Sequence, residues 1–148
     1  MRKTWILTCI LFAFILRVNT SCTGKSKSIN PNGDSELALL MREMYDEGMK
    51  TKQQLLDRKE PEVHVKYKRI HTAKSTESMH VDLTTFIPYA IAYEMAMDSF
   101  ISTETSNKRA AFQSMVNTCM NCHQTVCPGP KVKIKQMYFS DAELASLE

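Results

Sequence analysis

KRAAFQSMVNTCMNCHQTV, residues 108–126, carries apolar or sulfur-bearing side chains at Phe112, Met115, Cys119, Cys122 and Val126. Steps of three, four, three and four hold those five on one face of an α-helix, which turns once in about 3.6 residues. The pattern predicts a helix from about Ser106 to Val126, stopped by the breaker Pro128-Gly129-Pro130. Two members of the stripe are cysteines, and His123 follows the second directly.

Three further helices are read upstream. From Ser35 to Arg58, Leu37, Leu40, Met44, Gly48 and Leu55 share a face, while Glu43, Asp46, Glu47, Lys50 and Lys52 point elsewhere. Asp34 or Ser35 can cap its start, and Pro61 ends it. A second helix is expected over Glu62–Ala73, with Val63, Tyr67 and Ile70 inward, followed by the polar connection KSTESMHVD. The third, Leu83–Ile101, is the most apolar, and Pro88 predicts a kink or a helix start near it. After Pro130 a basic alternating piece reads as extended, then a short helix. Four amphipathic helices with short connections imply an all-α fold, an antiparallel four-helix bundle.

The N-terminus sets the compartment. Arg2 and Lys3 precede an apolar run from Trp5 to Leu16 and then small polar residues, the layout of a secretory leader over 1–21. Thr20-Ser21-Cys22 resembles the end of a bacterial lipobox, which makes Cys22 the candidate lipid anchor; an ordinary cut near Thr20 is the alternative. Residues 22–34 read as a flexible tether, 35–130 as the folded domain and 131–148 as a C-terminal extension. The expected location is the periplasm or a membrane-anchored lipoprotein of the bacterial cell envelope. The leader holds three of the cations and no acid, so the +3 chain becomes neutral without it, which speaks against a nucleic-acid partner. Cys119, Cys122 and Cys127 then remain for the domain, too close together for a disulfide scaffold.

Cys119-Met120-Asn121-Cys122-His123 is the attachment pattern for haem c, one covalent group with its iron. Cysteines three apart on a helical turn project to nearly the same side and can form thioethers, and the next residue can bring its imidazole to the iron. A zinc site of Cys119, Cys122, His123 and Cys127 is a rival, although ligands so close on one helix surround an ion poorly. A redox dithiol would want a βαβ setting, which is absent. Covalent haem is preferred, and Cys127 reads as a small buried hydrophobe.

Arg109-Ala110-Ala111-Phe112, placed seven residues before Cys119, resembles the last helix of class II c-type cytochromes, the family of cytochrome c′ and its low-spin c-556-like relatives. The resemblance implies a four-helix bundle with haem on the last helix. In the low-spin branch a methionine of the first helix, in Met-x-x-x-Gly, is the sixth ligand; Met44 and Gly48 in MYDEG have that spacing. Met41 ranks second, and His64, His71, His80 or no protein ligand follow. Gly48 would clear space at the porphyrin edge, and Arg42 could approach a propionate. The resemblance thus implies a single-electron carrier rather than an enzyme, with redox partner proteins and family-like pairing into a homodimer. The alternative is a cytochrome c′-like open face binding nitric oxide or carbon monoxide.

Overall fold

The computed structural model describes residues 33–76 and 82–147, and among these the fold is all-α, without a strand. Three long helices, α1 (Glu36–Leu56), α2 (Leu83–Ser102) and α3 (Lys108–Thr125), are followed by two short ones, α4 (Lys131–Gln136) and α5 (Asp141–Ala145). Short 3-10 turns occupy Tyr67–His71 and Thr105–Asn107. The leader, Cys22 and His80 lie outside the described residues. No helix among the described residues is long and apolar enough to cross a membrane.

Helix α1 starts where the Ser35 hydroxyl accepts from the Ala38 N–H at 3.2 Å, with Glu36 beside the positive end of the helix. It buries Leu37, Leu40, Met44, Gly48 and Leu55, the face its periodicity predicts. It stops before Pro61, at Arg58, whose φ of 57° is left-handed and lets the Lys59 N–H return to the Gln54 carbonyl at 2.8 Å. Lys52, expected on the outer face, is buried. Its ammonium donates to the Gln136 carbonyl at 3.1 Å and pairs with Glu143 at 2.9 Å, so partners from the end of the chain replace its water.

The helix expected over 62–73 is helical only at Tyr67–His71. Pro61, Val63, Val65 and Tyr67 are partly covered while Glu62, His64 and Lys66 are exposed, a period of two that belongs to extended chain. The β-branched Val63 and Val65 favour that geometry, and Ile70 then turns into the core. In α2, capped by Asp82 through the Thr84 N–H at 3.0 Å, Phe86, Ala90, Tyr93, Met97 and Phe100 form the buried stripe. Pro88 sits within its second turn.

Helices α2 and α3 make the most extensive helix–helix contact. Tyr89 near the start of α2 bonds Thr125 at the end of α3 at 3.1 Å. Phe100 near the end of α2 meets Phe112 near the start of α3 edge-on, ring centres 6.0 Å apart. Buried Lys108 caps the end of α2, donating to the Ile101 and Thr103 carbonyls at 3.0 and 2.8 Å and pairing with Glu60 at 3.1 Å.

The segment after Pro130 is helical where an extended piece was expected. Pro130 has helical dihedrals and precedes the first turn, and the Ile134 N–H reaches its carbonyl at 3.1 Å. Ile134 and Met137, three apart, go inward while Val132 is 73% exposed, so the sequence alternation has no counterpart in burial. Phe139 packs on Phe112 with ring centres 5.8 Å apart, and Ile134, Met137 and Phe139 belong to the same core as the long helices. A capping box between Ser140 and Glu143 starts α5.

Phe112→Ala should lower the unfolding free energy by about 3–5 kcal/mol in denaturant titrations, against less than about 0.5 kcal/mol for Val132→Ala. The Ser140 backbone N–H first, and the Lys52 ammonium second, hold the Glu143 carboxyl at about 2 against an ordinary 4.5. A depressed carboxyl stabilises the fold above its unfolded value, and that contribution is lost as the pH falls from about 4.5 toward 2. Unfolding midpoints across that window should fall in the parent chain and fall less in Glu143→Gln.

Candidate functional site

Helix α1 approaches α3 at few points, and between them lies a cleft enclosing about 520 Å³ including its open mouth. Helix α3 contributes Met115, Thr118, Cys119, Cys122 and His123, and α1 contributes Met41, Met44 and Tyr45. Tyr89 and Tyr93 come from α2, Ile70 from the 3-10 turn, and Ile134 and Met137 from the end of the chain. The lining is apolar, with several sulfur atoms and one imidazole.

The α3 stripe explains why the cysteines reach this cleft. Phe112, Met115, Val116 and Met120 are buried and fix the rotation of the helix. Cys119 and Cys122 continue one edge of that face and are only partly covered. The Cys119 thiol donates to the Met115 sulfur at 3.9 Å. Burial first, and the neighbouring Cys122 second, push the Cys119 thiol up to about 12; burial and then Cys127 push Cys122 up to about 11. Both are neutral thiols near pH 7, the opposite of the lowered values that make a reactive dithiol.

His123 is oriented by a single backbone contact. Its Nδ1 lies 2.8 Å from the Cys127 carbonyl, which can only accept, so Nδ1 carries the proton. The other nitrogen, Nε2, is therefore the one with a lone pair to offer. Burial lowers the imidazole's proton affinity, with the Cys127 bond partly opposing, so the ring is held neutral. A neutral imidazole with its second nitrogen fixed by a carbonyl is the usual condition of a metal-ligating histidine.

The residues singled out by sequence divide clearly. Cys119, Cys122, His123, Met44 and Met41 all line the cleft. Met44 is buried and Met41 partly so. His64 is turned to Glu47 and Glu62, and His71 to Glu94 at 2.7 Å; neither lines the cleft. Arg42 is held by Asp34 at 2.8 Å and the Gly33 carbonyl at 3.1 Å, away from the lining. Among the described residues no three His, Cys, Asp or Glu side chains converge to hold a metal ion, so the four-ligand zinc arrangement is not assembled.

Three tyrosines and the C-terminal pair escaped the sequence reading. Met137-Tyr138-Phe139, an apolar triplet after a basic run, was the available signal for the latter. Gly48 also differs from expectation: the space it leaves is taken by Met137, whose terminal methyl would collide with any Cβ there. No family model matches the chain, and the comparisons with curated proteins and with solved structures found no match.

While Cys119 and Cys122 are thiols, both should react with iodoacetamide at about pH 8 more than tenfold more slowly than in the denatured chain, since thiolate falls about tenfold per unit of pKa. Intact mass after timed quenching measures this.

Proposed function

We propose that the chain is an exported monohaem c-type cytochrome that carries single electrons in the bacterial cell envelope. The observation that carries this reading is the convergence of Cys119, Cys122, His123 and Met44 on one apolar cleft. The donor set fits haem c: two cysteines for thioethers, a neutral imidazole with Nε2 available, and thioether side chains on a facing helix. Bound there, the haem would supply one-electron chemistry at its iron.

The chain's own residues do the rest. Cys119 and Cys122 would hold the group on α3, and the stripe ending in Met120 ties that helix to the core. His123 is kept in its ligating tautomer by the Cys127 carbonyl. Met44, buried on α1, would supply a second iron ligand beside His123, and such a His/Met pair would raise the reduction potential. Buried Ile70, Tyr93 and Met115 make the inner wall apolar. We read the long helices as members of an antiparallel bundle, because Tyr89–Thr125 and Phe100–Phe112 join opposite ends of α2 and α3. The leader and a lipid at Cys22 would hold the domain near a membrane, with redox proteins as partners and a homodimer as a further arrangement.

The test is expression with export and haem attachment, followed by intact mass and absorption spectroscopy. The expected product carries one covalent haem, and replacing both Cys119 and Cys122 by Ser removes it. The ferric protein should have the methionine-to-iron charge-transfer band, abolished in Met44→Ala. If only Met41→Ala abolishes it, the ligand lies one turn earlier. A ferrous protein that binds carbon monoxide readily at a vacant face would replace the carrier reading with gas binding.

A further inference from the structure

The end of the chain forms part of the cleft, beside the helices α1 and α3 that carry the candidate ligands. Ile134 and Met137 stand on its wall, 6% and 3% exposed. Two bonds fix the residue before Met137: the Gln136 carbonyl accepts from Lys52 at 3.1 Å, and the Gln136 side-chain oxygen accepts from Tyr45 at 2.6 Å. Met137 itself fills the notch at Gly48, its sulfur 3.5 Å from the point where a Cβ would stand. Gly48 lies one helical turn beyond Met44 on the same buried face of α1. An unbranched thioether suits such a notch, because it can fill an irregular gap without a β-branch to clash.

Resting on the haem reading of the cleft, we propose that Met137 is a specificity-determining residue: seated against Gly48, it walls the Met44 side and keeps small exogenous ligands from the iron. Residues 131–147 contain no glycine, and Phe139 anchors the segment in the central core two residues after Met137. The role is steric, so a side chain of similar volume should perform it without sulfur, whereas a truncated one should not.

The experiment compares the full-length holoprotein with Met137→Leu, Met137→Ala and Gly48→Leu, the last of which expels Met137 while leaving its sequence intact. Intact mass establishes covalent haem, stopped flow measures carbon monoxide association with the ferrous form, and amide exchange follows residues 131–139. Expected are slow exchange and slow association in the parent chain and in Met137→Leu. Met137→Ala and Gly48→Leu should associate about tenfold faster or more, with faster exchange in Gly48→Leu. Parent-like association in both of these, with haem attached, overturns the proposal, as does rapid exchange of 131–139 in the parent chain. Loss of the low-spin spectrum in Met137→Leu also overturns it, by making Met137 the ligand. A chain that attaches no haem removes the haem reading itself, while the exchange data still report whether Met137 is seated.

Discussion

Phe112 is fully buried between two rings, Phe100 from α2 and Phe139 from the C-terminal segment, and the site depends on that wedge. It fixes the rotation of α3 about its own axis. Cys119 lies seven residues later, about two turns, and so emerges on nearly the same face. A rotation of α3 by one residue, about 100°, would carry the cysteines out of the cleft. One packing contact therefore sets both the core and the direction in which Cys119, Cys122 and His123 project. Because its partners come from α2 and from the end of the chain, neither is separable from the chemistry of α3.

Two buried ammonium groups complete the frame. An uncompensated buried cation costs several kcal/mol, roughly, so each must be surrounded by acceptors. Lys108 meets two carbonyls at the end of α2 and the Glu60 carboxylate, which ties the loop after α1 to the α2–α3 connection. Lys52 meets the Gln136 carbonyl and Glu143 and stands 5.8 Å from the centre of the Phe139 ring. Both lysines work across long sequence separations. Their apolar stems lie in the core while their heads gather the ends of helices and the connections between them.

The legible parts of this sequence were those with local periodicity. The stripe of α1 and that of α3 could each be read because 3.6-residue spacing is written in one stretch of chain, and Cys119, Cys122, His123 and Met44 were found on them. The segment from Pro61 to Tyr67 was misread because Val63, Tyr67 and Ile70 also satisfy a helical spacing; only the covered Val65 discriminates the two periods. Lys52 was misplaced for a different reason. A lysine is assigned outward unless its acceptors are known, and these sit 84 and 91 positions away, at Gln136 and Glu143. Met137 was invisible for the same reason, since the notch it fills exists only once α1 and the chain end meet.

The cleft also differs in electrostatic character from a site that needs metal in order to fold. Zinc modules gather thiolates, whose mutual repulsion disfavours the fold until the ion arrives. Here burial keeps Cys119 and Cys122 protonated, with values near 12 and 11, and holds His123 neutral. Tyr93, buried against the same space, is pushed well above its ordinary value and is neutral as well. Among the described residues no charged side chain lines the wall, and the buried Lys52 ammonium is compensated at the chain end. A donor set without net charge imposes no electrostatic cost on the folded core before anything is bound. The cleft is therefore compatible with a polypeptide that folds around it first, held by Phe112, and that would receive the proposed haem at a preformed apolar wall.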